Sequence, residues 1–325
     1  MKRAIILMLA LCLVGTVGYS GERRRFNANV ASVYAAEGNI HEGMVKFKEI
    51  VEKKTDGRIS ITIHPAGGMG GEREVVEGLS NGTIEMGAHG GMDLFLYAPD
   101  YEVFEEMFVI QDLEHLHTFW ETLGPEVNKA LEERRGIITV GTVPRGSRYI
   151  TANKPIRHPD DLKGMKMRLP DHPFRISYFR SMGALPTIVA FPELYMALRT
   201  GTVDNQENPP ETIYNYKYYE AQRYLIPTRH LYSSNRYAVS KRWLDRLDTE
   251  DQQIIMESWK EATDYANALV PDPDAFYVEK LVNEHGMILV EDIDRDAFIR
   301  AAQPIYEEFR AKWKPGFLEQ VQALR

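Results

Sequence analysis

Three residues in the middle of the chain have the types and spacing to hold an organic anion. Arg148 follows a tight Gly146-Ser147, Arg168 stands just before Pro170 at the end of Met165-Lys166-Met167-Arg168-Leu169, and Asn208 closes Asp204-Asn205-Gln206-Glu207-Asn208 ahead of Pro209. A guanidinium is a planar fork that donates two parallel hydrogen bonds, which matches a carboxylate. Asn208 adds amide donors and an acceptor. If strands precede these residues, all three groups stand beyond carboxyl ends of strands, where open α/β sheets bind ligands. Taken singly, either arginine is as readily explained by a surface ion pair.

Other chemistry-bearing patterns fail on detail. Gly67-Gly68-Met69-Gly70-Gly71 has the glycine density of a phosphate loop, but no Lys-Ser/Thr follows and Arg73 occupies the place of a small residue in a dinucleotide fingerprint. It reads as a tight strand-to-helix turn. His115 and His117 are two apart, so on a helix they point in different directions, and no His-Glu-x-x-His occurs. No cofactor and no metal are expected. The single cysteine is Cys12, inside the first apolar run, so the rest of the chain has no disulfide, thiolate nucleophile or cysteine metal site.

The elements that must position these residues alternate between strand and helix. Phe26 to Ser32 predicts a strand, and His41 to Lys54 a helix with Met44, Phe47, Ile50 and Val51 on one face, ended at Thr55-Asp56-Gly57. Ile59, Ile61 and Ile63 alternate with Ser60 and Thr62 as a second strand. A short helix around Val75, Val76 and Leu79 stops at Asn81-Gly82, and Ile84 to Ala88 is the next strand. Later, Ile137–Val143 and Met165–Leu169 read as strands, Pro192 opens a helix closed by Gly201, and Val203 begins another strand. Thr249-Glu250-Asp251-Gln252 predicts a capping box before a long helix carrying Ile254, Ile255, Trp259, Ala262 and Ala266. This is an α/β layer fold with mostly parallel sheets.

Composition agrees and excludes some classes. With 325 residues, 44% hydrophobic and 26% charged, the chain is globular and long enough for two lobes. Its 39 basic and 47 acidic residues give a net charge of −8, with no basic field for nucleic acid. Met1-Lys2-Arg3 followed by the apolar Ala4–Val17 predicts a signal peptide over residues 1–20, because the run is shorter than the about 20 residues of a membrane span. Cleavage after Ser20 would release the mature chain outside the cytoplasmic membrane.

With these motifs in place, the chain resembles the periplasmic substrate-binding subunits of TRAP transporters, the DctP-like family. The resemblance covers nearly all of the mature chain. It is carried by Gly146-Ser147-Arg148, Asn153-Lys154-Pro155-Ile156, Pro159-Asp160-Asp161-Leu162-Lys163-Gly164-Met165-Lys166-Met167-Arg168-Leu169-Pro170, Gly183-Ala184-Leu185-Pro186-Thr187, Phe191-Pro192-Glu193-Leu194-Tyr195-Met196-Ala197-Leu198, and Gly201-Thr202-Val203-Asp204-Asn205-Gln206-Glu207-Asn208-Pro209. It implies a two-lobed periplasmic binding protein of type II-like fold that closes on an organic acid in the interlobe cleft and delivers it to a TRAP permease, as a monomer and not as an enzyme.

The resemblance also implies site roles: Arg168 pairs with the substrate carboxylate, Arg148 supports it, Asn208 hydrogen-bonds the ligand, and Phe191 packs against it. Asn29, Glu72, His89 and Asn235 would line the opposing lobe. It places one lobe at 21–145 plus 234–273 and the other at 146–233 plus 274–325. Two departures, Gly68-Met69-Gly70 for Gln-Leu-Gly and Asn205 for a glycine, bear on which ligand is bound. The hydrogen-bonding groups favour a hexuronate or similar polyhydroxy monocarboxylate; 2-hydroxy, 2-oxo, C4-dicarboxylic and aromatic acids stay open. An exported sugar-acid isomerase or lyase, using Glu72 and His89 beside the arginines, and a sensory ligand-binding subunit are the competing functions.

Overall fold

The computed structural model describes residues 24–325; the expected signal peptide, and Cys12 with it, lies outside the described residues. Its strands are β1 Phe26–Ser32, β2 Ile59–His64, β3 Met86–His89, β4 Ile137–Ser147, β5 Tyr149–Ala152, β6 Lys166–Leu169, β7 Leu185–Ile188, β8 Asn205–Asn208, β9 Tyr224–Ile226, β10 Tyr232–Ser240 and β11 Ile288–Leu289. They form a five-stranded sheet, β2-β1-β3-β10-β4, and a six-stranded sheet, β11-β9-β5-β8-β6-β7.

Both sheets repeat one arrangement. In each, a parallel trio comes first, β2-β1-β3 or β7-β6-β8, followed by an antiparallel strand, β10 or β5. The antiparallel members sit where the chain crosses between sheets, since β4 runs straight into β5 and β9 leads to β10. The sheets are therefore mixed, and their parallel parts are the β-α-β units that the sequence pattern predicts. The α/β two-lobed class holds.

Most elements lie where their residues predict. The helix Asn39–Lys54 buries Met44, Phe47, Ile50 and Val51, as its 3.6-residue spacing requires. The helix Glu72–Asn81 stops at a left-handed Gly82. The long helix Thr249–Leu269 is capped by Asp248, whose side chain accepts from the Asp251 amide at 2.9 Å, and not by the expected Thr249. An aspartate one residue earlier satisfies the same orphan donor.

Four apolar clusters follow from the layers. One face of the first sheet packs on Asn39–Lys54 and Thr249–Leu269, where Phe47 stacks on Trp259 at 3.8 Å and Trp259 on Tyr237 at 4.7 Å. Its other face buries Val75, Val76 and Leu79. The second sheet packs Leu194, Leu198, Ile213 and Leu281 on one side. On the other side, Met167, Phe174, Tyr306 and Phe309 share a core with Leu94, Phe104, Leu116 and Phe119. Apolar packing thus continues from the second sheet into residues 94–131, and covers more than the elements next to it in sequence.

At the β4–β5 crossing, Gly146 has φ +77°, and a Cβ there would stand 2.1 Å from Asp274 Oδ1. Only glycine fits both the conformation and the space. Asp274 accepts from the Ser147 amide at 2.9 Å and from its hydroxyl, tying the crossing to the helix Pro273–Asn283.

Candidate ligand-binding site

Arg168 lies on β6 and is 3% exposed. Its Nε and Nη2 donate to the Val189 carbonyl at 3.0 and 2.7 Å, and the guanidinium stands 5.9 Å from the centre of the Phe191 ring. No carboxylate among the described residues lies within ion-pair distance of it. Burial pushes its pKa down to about 10, so it stays charged at neutral pH. A buried cation without a counter-ion is expensive, and an anionic ligand is the group that would relieve it.

Arg148 differs. Its Nε donates to Glu207 Oε2, and its Nη2 donates to Glu207 Oε1 at 2.9 Å, to the Glu207 carbonyl at 2.7 Å and to Asn208 Oδ1 at 3.0 Å. Glu207 also meets His230 Nε2 at 3.1 Å and Arg175 at 3.8 Å. Burial alone would raise the Glu207 pKa, but Arg148, His230 and Arg175 outweigh it and hold the carboxyl well below the usual range. Asn208 is fixed from both sides, since its Nδ2 donates to Gln206 Oε1 at 2.5 Å. Arg148 therefore holds Glu207 and Asn208 in place.

From Phe191 an aromatic path crosses between the sheets. Its ring lies 4.8 Å from that of Tyr216 and 6.1 Å from that of Tyr34, which follows β1, and the Tyr216 hydroxyl donates to the Val33 carbonyl. Arg145, on β4, lies 5.0 Å above the Tyr34 ring, donates to Thr212 Oγ1 at 2.5 Å and comes within 3.9 Å of Glu211. The Tyr34 hydroxyl, Arg145 Nη1 and Glu72 Oε1 converge on Gly90, where a Cβ would meet them at 2.6, 3.4 and 3.4 Å. Glu72 Oε1 accepts from the Gly90 amide at 2.6 Å. Glycine at 90 is what lets this loop close on the tyrosine.

The structure thus brings Arg168, Arg148, Asn208, Phe191 and Glu72 together with Tyr34, Arg145, Glu211 and Tyr216, four residues that the sequence reading passes over. Their signal was the carboxyl-end rule: Tyr34 follows the end of β1, and Arg145 lies on β4, which runs on past the expected end at Val143 to Ser147.

Asn235 and His89 are fully buried. Both polar atoms of Asn235 and both ring nitrogens of His89 lack hydrogen-bond partners among the described residues. His89 pairs in register with Arg236, so it shares a sheet face with Arg236, whereas Asn235 points to the other face. The His89 Nδ1 lies 3.6 Å from Asp93, which Arg236 binds together with Glu105. Burial pushes the His89 pKa down and keeps the ring neutral.

Asn29 does not join the group. It lies mid-strand, its Nδ2 donates to Glu85 at 3.0 Å and its Oδ1 meets His64 Nε2 at 2.9 Å. Gly78-Leu79-Ser80-Asn81-Gly82 matches a serine elbow in sequence, yet Ser80 sits near the end of the helix Glu72–Asn81 and not on a strand-to-helix turn.

The geometry defines a two-sheet protein with buried arginines and aromatic rings gathered between the sheets, and the class follows from comparison with known proteins. The model of bacterial extracellular solute-binding protein family 7, DctP, matches residues 30–312, and the chain belongs to that family. It is a periplasmic solute-binding protein of the TRAP type. The chain is 30% identical over 262 residues to the 2,3-diketo-L-gulonate-binding periplasmic protein YiaO of Escherichia coli (strain K12), covering 79% of each. Among solved structures, a TRAP periplasmic solute-binding protein of Bordetella bronchispeptica, whose ligand density is assigned to pantoate, superposes with a TM-score of 0.85 at 29% identity, covering 93% of this chain and 100% of that one. The counterpart from Sulfitobacter sp. NAS-14.1, with bound β-D-galacturonate, also has a TM-score of 0.85, at 28% identity, covering 92% and 98%. No helix among the described residues is long and apolar enough to cross a membrane.

Proposed function

We propose that the protein captures a polyhydroxylated monocarboxylate, a hexuronate above all, between lobes 21–145 plus 234–273 and 146–233 plus 274–325, and hands it unchanged to the permease. The observation that carries this is Arg168: a buried guanidinium, held by one carbonyl and stacked near Phe191, with a free edge and no counter-ion. Arg168 takes the carboxylate, Arg148 holds Asn208 toward the ligand, and Phe191 packs on the carbon chain. Glu72 and the unsatisfied amide of Asn235 suit hydroxyl groups, because each can accept a hydrogen bond from one. The acids in the YiaO and Sulfitobacter names, 2,3-diketo-L-gulonate and galacturonate, are polyhydroxylated monocarboxylates, which fits this set. The protein works as a monomer and carries out no turnover.

A thermal-shift panel of galacturonate, glucuronate, 2,3-diketo-L-gulonate, pantoate and succinate tests the reading. The favoured acid at about 100 times its dissociation constant should add about 2.7 kcal/mol of stability, and mass spectrometry should recover it unaltered. Selective stabilisation by succinate would overturn the ligand class; an altered sugar acid would make the protein an enzyme.

A further inference from the structure

A second cluster of ligating groups lies beside the cleft and takes no part in holding Arg168. Glu102 and Glu106 are four residues apart on one turn, and His172 approaches them from the start of the helix Pro173–Ser181. One donor atom from each of the three lies within 4.8 Å of the others. All three residues are buried, at 7%, 1% and 7% exposure. His172 Nε2 lies 2.9 Å from Glu102 Oε1. His172 Nδ1 has no hydrogen-bond partner among the described residues, and the Glu106 carboxyl has only that of Glu102 within hydrogen-bond reach.

The neighbouring arginines differ: Arg175 borders the same cavity as Glu102 and His172, and its charge acts on Glu102 and Glu106, whereas Arg236 is held by other carboxylates. Arg236 binds Asp93 and Glu105, while Arg175 faces Glu207 at 3.8 Å. Among the described residues no lysine or arginine lies within ion-pair distance of Glu106. Two buried carboxylates side by side gain from a positive group that joins both of them; His172 meets Glu102, and no lysine or arginine among the described residues bonds Glu106 directly. Glu102 and His172 also border a cavity of about 30 Å³, with Glu72, Glu105 and Arg175 as its other charged walls, so two of the three groups open onto space for roughly one water molecule.

We propose that Glu102, Glu106 and His172 bind a divalent transition-metal ion, Zn²⁺ or Mn²⁺, at a site separate from the carboxylate anchor. Two carboxylates and one imidazole form the oxygen and nitrogen donor set that such ions prefer, and the cavity leaves room for a water ligand. The metal would fasten the turn 102–106 to the start of helix Pro173–Ser181. The sequence concealed the site because His172 is remote from the carboxylates and completes no motif.

The test uses the full exported chain, stripped with chelator and dialysed, with ZnCl₂ and MnCl₂ as probes in calorimetry. One saturable site per chain is expected. Glu106→Gln and His172→Gln each remove a direct ligand, so each should weaken binding at least as much as the loss of a partner behind a ligand does, about tenfold or more. Arg168→Lys, which removes the anchor, should leave metal binding unchanged, so the two sites fail independently. If the variants do not fold, the parent decides: Co²⁺ should give a visible absorption band of a low-coordinate nitrogen and oxygen site, displaced by Zn²⁺. Absence of a saturable site or of that band, or parent-like metal affinity in both folded variants, would overturn the proposal.

Discussion

Two buried arginines in one cleft are arranged for different tasks, and their partners show which is which. Among the described residues, Arg168 bonds only the Val189 carbonyl and stands over the Phe191 ring. Arg168→Lys keeps the charge but loses the fork. A hydrogen bond to a charged group contributes about 1.5–3 kcal/mol, so acid binding should weaken roughly ten- to a hundredfold by calorimetry. Lys166→Ala is the control, since Lys166 is exposed and reaches only the Gly201 carbonyl at 3.4 Å; equal affinity for the two variants would refute the anchor. Arg148→Ala should act on the fold instead, because it strips a buried carboxylate of its main partner, at a cost of about 3–5 kcal/mol in urea unfolding. Glu207 also sets a pH dependence: its folded pKa is depressed, so its contribution is full above about pH 4.5 and is lost as pH falls below that. His89 is pushed down and stays neutral, so affinity should be flat from about pH 6 to 8. A steep loss in that window would make His89 a charged contact.

At the scale of elements, the crossing from β4 to β5 is the joint on which the second lobe hangs. Burial raises the Asp274 pKa to about 6, against hydrogen bonds from Ser147 that lower it. A raised folded pKa means that Asp274 favours folding when protonated, so its contribution is full below about pH 4 and lost as pH rises through 6. Asp274→Asn should flatten this part of the stability-pH curve, a change on the order of 1 kcal/mol for a half-buried group, readable by urea melts at pH 4.5 and 7.5. An unchanged curve would mean that Ser147 holds the carboxylate ionised. These elements were largely legible beforehand because their apolar spacing is local: β1 spans the residues expected of it, and the helix Asn39–Lys54 begins only two residues early. What was not legible was strand direction. β10 and β5 are antiparallel because of where the chain crosses, which no local pattern encodes. The same limit hid half the site. Arg168, Arg148 and Asn208 sit in motifs, but Tyr34 and Arg145 gain their meaning only from Phe191 and Gly90, which the fold delivers.

On the scale of the whole molecule, the two halves share the apolar core of residues 94–131 and the buried Arg145–Thr212 bond, and beside these run weaker contacts. Tyr34 meets Phe191 edge-on at 6.1 Å, Arg73 faces the exposed Asp171 at 3.5 Å, and the Tyr216 hydroxyl donates to the Val33 carbonyl. A surface ion pair is worth little, and three arginines, Arg145, Arg148 and Arg168, repel one another in the same space. A bound anion removes part of that repulsion, so the ligand's differential affinity for the closed arrangement is what shifts the population toward it. Scattering should then give a smaller radius of gyration with ligand than without. Tyr216→Phe probes the same equilibrium from the other side: it deletes one hydroxyl that bridges the sheets and leaves the ring against Phe191 in place. If that bond helps to hold the closed state, its loss costs about 0.5–1.5 kcal/mol of closure and should weaken acid binding roughly two- to tenfold, with the free protein's scattering curve unchanged. Parent-like affinity in Tyr216→Phe would mean that closure is set by the ligand and the arginines alone.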